Sequence, residues 1–170
     1  MKNIILVGIP GSGKSTLGIL LAKEIHYGYI DIDSVMVAST GKLLPTLIEQ
    51  LGNDGFLEME SRINGSIQVQ QCVISTGGSA IYRGDAIEKM KENGIVVYLK
   101  IPYDEVVRRL GDLKKRGVVL KDGFSLKDLY EERAPLYEQH ADYIVELSGG
   151  SVEENTEKIL RAIADEIAIG

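Results

Sequence analysis

Nine residues near the N-terminus, Gly8-Ile9-Pro10-Gly11-Ser12-Gly13-Lys14-Ser15-Thr16, leave the chain few folds to choose from. They fit G-x-x-x-x-G-K-[ST], in which closely spaced glycines let successive backbone N–H groups converge on an anion. Such a loop belongs between a strand and a helix, because the helix N-terminus adds partial positive charge to the amide cradle. Both flanks comply. Asn3-Ile4-Ile5-Leu6-Val7 ahead of it is a short β-branched apolar run, the pattern of a buried strand. Behind it, Leu17, Leu20, Leu21 and Ile25 recur at helical spacing. A nucleoside triphosphate is therefore the expected ligand. Gly11, Ser12, Gly13 and Thr16 belong to its cradle, Lys14 would reach the β- and γ-phosphates, and the Ser15 hydroxyl would ligate Mg²⁺.

The rest of the chain alternates strands with helices. Tyr27 to Asp33 reads as a second strand ending in two carboxylates, and residues two apart on an extended chain face one side, so Asp31 and Asp33 are expected to look at one site. Residues 34–71 read as a helical block broken at Gly41, Pro45 and Gly52-Asn53-Asp54-Gly55, with Leu43, Leu44, Leu47, Ile48 and Leu51 as an apolar stripe. Cys72 to Thr76 is the third strand, closing on Gly77-Gly78-Ser79. A short helix over 85–92 stops at Asn93-Gly94. The continuous apolar run Ile95-Val96-Val97-Tyr98-Leu99 is a strand covered on both faces. Pro102 opens a helix carrying Val106 to Leu110, and a basic segment, Lys114-Lys115-Arg116-Gly117, follows. A helix over 125–140, a strand over 143–147 and a last helix complete the chain. That helix starts at Ser151, with Glu154 forming a capping box and Ile159, Leu160, Ile163 and Ile167 as its apolar face. Five strands interleaved with helices give an α/β layer fold with a parallel sheet. Ligands of such folds sit at the carboxyl ends of the strands.

Several function classes are excluded by the totals. The 170 residues suit one domain, and a net charge of −6 argues against a nucleic-acid partner. No apolar run approaches the ~18 residues that a membrane crossing needs, and the chain enters its first strand too early for a signal peptide. The single cysteine, Cys72, forbids an internal disulfide, fits a reducing, cytoplasmic setting, and reads as a buried inert thiol. His26 and His140 lack metal-ligand spacing and read as surface residues. A monomer is expected, since a small enzyme of this kind needs no second subunit.

A phosphate cradle alone does not separate kinases from GTPases or motor ATPases. GTPases usually carry an N-K-x-D base reader, and this sequence has none. Phosphoryl transfer asks for a metal, a group at the acceptor hydroxyl, cations for the phosphate oxygens and a cover against water. Each has a candidate. Ser15 and Asp31 would hold Mg²⁺, Asp33 would face the acceptor as orienter or base, and Arg116 would close over the phosphates. A solvated charged face is the competing account of Lys114-Lys115-Arg116, and a helix N-cap is the competing account of Asp33.

Carried this far, the sequence resembles the shikimate kinases, within the wider set of nucleoside monophosphate kinase-like P-loop enzymes. The likeness runs nearly end to end. Gly8 to Thr16, Asp31-Ile32-Asp33, Gly77-Gly78 and Arg133-Ala134-Pro135-Leu136-Tyr137 match the family pattern, and Arg109 and Arg116 match its lid spacing. The resemblance implies a three-layer αβα P-loop kinase fold with a five-stranded parallel sheet. A helical substrate-binding region (34–71) and a lid (112–124) would sit within one domain spanning 1–170. It implies ATP and Mg²⁺ as cofactors, Arg109 on adenine, Arg116 on phosphates, Arg133 on the substrate carboxylate, and Gly77, Gly78 and Ser79 at the substrate. Two departures stand out. The family's F-R-x-x-E is Phe56-Leu57-Glu58-Met59-Glu60 here, so Leu57 occupies the position of a second carboxylate clamp, and Ser79 replaces a third glycine. Losing one charge-assisted bond costs about 1.5–3 kcal/mol. Arg62, one turn beyond Glu58, is a candidate replacement or else an ion-pair partner of Glu58.

The expected activity is ATP-dependent phosphorylation of a small acidic alcohol, shikimate first. The same machinery on another hydroxylated metabolite, and a non-catalytic ATP-binding regulatory module, are the alternatives.

Overall fold

The computed structural model describes residues 1–110 and 117–167. Strands β1 (Asn3–Val7), β2 (Gly28–Asp31), β3 (Cys72–Ser75), β4 (Gly94–Lys100) and β5 (Tyr143–Glu146) form one parallel sheet in the order β2-β3-β1-β4-β5. Central β1 is buried at every residue and β4 at all but its last, which explains their uninterrupted apolar sequences. Helix α1 (Lys14–Glu24) packs on β3 and against α7 (Val152–Ala162). Helices α4 (Gly84–Lys91) and α6 (Leu126–His140) pack against β4 and, through α4, against α3 (Leu44–Ser66), giving three layers. α2 (Ile32–Thr40) follows β2, and α5 (Tyr103–Arg109) follows β4 with Pro102 as its N-cap. No helix among the described residues is long and apolar enough to cross a membrane.

Local signals hold where they are strong. Ser151 caps α7 through the expected box with Glu154, and Ile159, Ile163 and Ile167 are buried behind it. Gly18, in the middle of α1, lets the helix lie against the sheet: a Cβ there would come 2.8 Å from both Ser75 Oγ and Tyr29 Cε2.

Three expectations change. β2 stops at Asp31, and Asp33 lies in the first turn of α2; Asp31, not Asp33, caps that helix, accepting from Ser34 N at 3.2 Å. The helical block is α2, closed by left-handed Gly41, then α3 running to Ser66 with a kink at Gly52 (φ 69°, ψ 173°). Ahead of that kink Leu47 is buried and Leu44 and Ile48 are half-buried, while Leu43, the N-cap outside the helix, and Leu51, the last residue before Gly52, are 67% and 46% exposed. His140 is no surface residue: its ring is largely enclosed and Nδ1 lies 2.7 Å from Glu88 Oε1. Cys72 is half-buried, and burial raises its thiol pKa, in keeping with an unreactive group.

Candidate active site

The loop between β1 and α1 encloses its own lysine. Gly11 and Gly13 adopt positive φ (82° and 94°), which turns the chain around a central space. Lys14, buried at the start of α1, folds back so that Nζ donates to the carbonyls of Gly8 (2.7 Å) and Ile9 (3.1 Å). Burial lowers its pKa to about 8, with Asp33 pulling the other way and Arg133 reinforcing the drop. The ammonium is still charged at neutral pH, and its two shorter bonds go to carbonyls, which a phosphate oxygen can displace. Ser12 is fully buried and its hydroxyl lies 3.4 Å from Lys14 Nζ, so its side chain braces the loop. Ser15 and Thr16 remain exposed on the rim.

A closed circuit of hydrogen bonds ties this loop to the ends of β2 and β3. Ser15 Oγ donates to Asp31 Oδ2 at 2.6 Å. The Tyr29 hydroxyl lies 3.3 Å from the same oxygen and 3.1 Å from Ser75 Oγ, and Ser75 Oγ donates to the carbonyl of Lys14 at 2.9 Å. Register explains the meeting, since Asp31 and Ser75 are paired across β2 and β3. Hard oxygen donors on Ser15 and Asp31 beside a phosphate loop fit an ion that takes one or two protein oxygens and completes its shell with water and phosphate.

Both strand ends feed a cavity of about 410 Å³ lined by Lys14, Asp31, Asp33, Glu60 and Arg133 among others, with Gly11, Gly13, Ser15, Thr16, Gly77, Gly78 and Ser79 contributing to its wall. Asp33 is half-buried, and burial, then the neighbouring Asp31, raise its carboxyl pKa against the pull of Lys14. Glu60 reaches in from α3 and is 1% exposed; Oε1 accepts from Ser79 Oγ at 2.8 Å, and Oε2 has no partner among the described residues. Gly77 is a requirement of this packing, since a Cβ there would drive into Glu60 Oε2 and lie 3.0 Å from Asp33 Oδ1. Helix α6 closes the far side. Arg133 and Tyr137, four residues apart on one buried face, present a guanidinium to the cavity and a hydroxyl to the Gly78 carbonyl at 2.5 Å.

Most residues singled out from the sequence therefore meet here, and a few do not. Arg109 lies beside the phosphate loop, with Nε on Glu105 Oε1 (2.8 Å) and Nη1 donating to the Gly11 carbonyl (3.2 Å). Leu57 is buried but does not line this cavity; it faces an adjoining hollow. Arg62 and Glu58 are both exposed and neither lines the cavity, so Arg62 is no stand-in clamp and Glu58 repels nothing inside. Arg116 and residues 112–115 of the expected lid lie outside the described residues, while Val118 and Val119 from its second part are buried and line the cavity. Glu60 and Tyr82 are functional neighbours that pattern reading passed over. The last position of Phe56-Leu57-Glu58-Met59-Glu60 was the available signal for Glu60; for Tyr82 there was none.

Known proteins resemble this chain along nearly its whole length. The family model for shikimate kinase matches residues 10–164. A shikimate kinase from Persephonella marina is 35% identical over 164 residues, covering 96% of this chain and 99% of the relative. One from Alteromonas mediterranea is 36% identical over 165 residues, covering 95% and 96%. Among solved structures, the shikimate kinase from Acinetobacter baumannii in complex with shikimate superposes with a TM-score of 0.87 at 32% identity, over 99% of this chain and 96% of that one. The Aquifex aeolicus shikimate kinase gives 0.83 at 29% identity, over 99% of both. A gluconokinase from Sinorhizobium meliloti, at 16% identity and 0.57, shares the fold alone. On sequence and architecture together, this chain belongs to the shikimate kinase family.

Proposed function

We propose that the chain transfers the γ-phosphoryl group of ATP to a hydroxyl of shikimate, giving shikimate 3-phosphate. The observation that carries this is the convergence, in one cavity at the carboxyl ends of the strands, of a phosphate loop, a paired Ser15–Asp31, a raised-pKa Asp33 and a buried Arg133. Lys14 would exchange its two loop carbonyls for phosphate oxygens, bringing its charge onto the transferring group without moving its backbone. Asp33 would receive the hydroxyl proton. Burial shifts its carboxyl toward neutral pH, where a carboxylate is a better base. Glu60 Oε2, which has no donor among the described residues, would take a hydrogen bond from a second hydroxyl of the acceptor and so set which oxygen faces Asp33. Ser15 and Asp31 would hold Mg²⁺, which offsets charge on the phosphate chain when bound. Arg116 is assigned to the phosphates and Arg109 to the adenine side on the family resemblance.

The test is ADP release over a panel of shikimate, homoserine, threonine, gluconate and CMP, each with ATP and Mg²⁺. Shikimate should give the highest turnover, with phosphorylated shikimate recovered. Turnover with CMP alone would move the protein to the nucleotide kinases. Tight ATP binding with no acceptor turned over would leave an ATP-binding module.

A further inference from the structure

A free acid that gives up water for the acceptor cavity needs positive charge beside it, and the described wall supplies little. Asp31, Asp33 and Glu60 line that cavity, and the Lys14 ammonium is turned to the phosphate loop. Arg133 is the remaining cation among the described lining residues. Two of its five N–H bonds are used inside the protein: Nε donates to the Tyr82 hydroxyl at 3.3 Å and Nη2 to the Val119 carbonyl at 2.6 Å. Nη1 has no partner among the described residues, and it lies at the cavity wall, 3.2 Å from where a Gly78 Cβ would stand. One guanidinium thus meets three carboxyl groups and an incoming fourth.

A second hollow, of about 390 Å³, adjoins this end of the cavity and shares Val119 with it. Leu57 lines the hollow directly after Phe56, a wall of the first space, so α3 runs across the boundary. The cations of the hollow are Lys121 and Arg83. Lys121 is committed, since its ammonium pairs with Glu132. Arg83 is half-buried, its buried Nε has no acceptor, and its guanidinium pairs with no carboxylate among the described residues. Asp54 and Asp122 border the same hollow, but both are exposed and neither forms an ion pair with it.

The fold also fixes where the Arg83 side chain starts. Arg83 follows Tyr82 on the turn between β3 and α4, and Tyr82 is fastened to α6. The Tyr82 hydroxyl receives Arg133 Nε and donates to Glu132 at 2.6 Å, and the Arg133 guanidinium carbon lies 5.0 Å from the ring centroid. The two arginines are thus joined through one tyrosine, Arg133 by contact and Arg83 along the chain. A buried donor without an acceptor carries a cost that an arriving carboxylate oxygen removes. Leu57 gives the hollow an apolar wall that does not compete for that bond.

From this juxtaposition we propose that Arg83 is a specificity-determining residue for the acceptor, its guanidinium reaching through the hollow at Leu57 to share the carboxylate of a free acid with Arg133. The positive charge that α3 lacks at Leu57 then comes from the turn after β3. This deepens the shikimate reading above and rests on it. Arg83 binds and orients, and the chemistry stays at the hydroxyl beside Asp33.

The experiment compares shikimate with its methyl ester, which has the same hydroxyls and no negative charge. The proteins are the wild type, Arg83→Gln, Arg83→Lys and the double variant Arg83→Gln/Leu57→Arg. Arg83→Gln should raise KM for shikimate by about tenfold or more, the loss of one charge-assisted bond, and leave kcat and the KM for ATP within about twofold. The ester's KM, or its inhibition constant against shikimate where it is not turned over, should move by less than about twofold, which a general loosening of the turn would not allow. Arg83→Lys keeps the charge without the planar fork and should fall between wild type and Arg83→Gln. Leu57→Arg should restore the KM for shikimate in the Arg83→Gln background. A KM for shikimate untouched by Arg83→Gln overturns the inference and leaves the shikimate kinase reading intact. So does an equal loss for acid and ester, the mark of a residue that only supports the turn. Should Arg83→Gln fold poorly, the acid-selective loss is read from Arg83→Lys instead. No turnover of shikimate by the wild-type protein overturns both.

Discussion

Glu60→Gln isolates a buried carboxyl group whose energetic consequence can be worked from its surroundings. Glu60 is 1% exposed, bonded to Ser79 through one oxygen and, among the described residues, unpartnered at the other. Burial pushes its pKa from 4.5 to about 7; the Ser79 bond, Arg133 and Lys14 restrain the rise and Asp33 adds to it. Between those two values the folded chain keeps a proton that the unfolded chain has released. Stability contributed by the protonated group is thus fully present below pH 4.5 and is lost as pH climbs to about 7. A gap of about two and a half pH units, at roughly 1.36 kcal/mol each, amounts to about 3 kcal/mol. Glutamine keeps the acceptor for Ser79 and the volume but never ionises. Urea unfolding of the ligand-free protein at intervals between about pH 4.5 and pH 8 should therefore show the wild type losing about 3 kcal/mol more than Glu60→Gln over that range. Parallel pH curves for the two proteins would refute the placement of an uncompensated carboxyl at this site.

Two further substitutions probe the cavity. Asp33→Asn should leave ATP affinity unchanged by calorimetry while kcat falls at least about tenfold, because the group that takes the hydroxyl proton is gone; an undiminished kcat removes Asp33 from the chemistry. Gly77→Ala places a Cβ against Glu60 Oε2 and 3.0 Å from Asp33 Oδ1, so acceptor kcat/KM should drop by about a hundredfold with nucleotide binding retained. Normal steady-state kinetics in that variant would mean that the two carboxylates do not close on Gly77.

How much of this was legible in advance depends on the range of the interaction that decides each feature. The phosphate loop, β4 and the Ser151 cap are settled by residues within one turn or one strand of each other, and they appear where the pattern places them. Asp31 and Asp33 reached the same cavity by a different route: the helix begins inside the supposed strand, so capping geometry rather than alternation brings them together. The leucine stripe of α3 holds at Leu44, Leu47 and Ile48 and fails at its two ends, because α3 starts only after Leu43 and is interrupted directly after Leu51 at Gly52, two boundaries that apolar spacing does not mark. Arg62 sits on the exposed side of α3, while Leu57 and Glu60 share its buried side. Tyr82 meets Arg133 across 51 positions of sequence, a contact created by the packing of α6 against the turn after β3 and written in no local motif.

The circuit through Ser15, Asp31, Tyr29, Ser75 and Lys14 makes the phosphoryl-donor half a single braced frame, hung from paired strands. The acceptor half is assembled from α3 and α6, which share no bond of that circuit. A change of acceptor can accordingly be tried out on those two helices while the donor frame goes on working. Leu57, on α3, lies on the permissive side of that division.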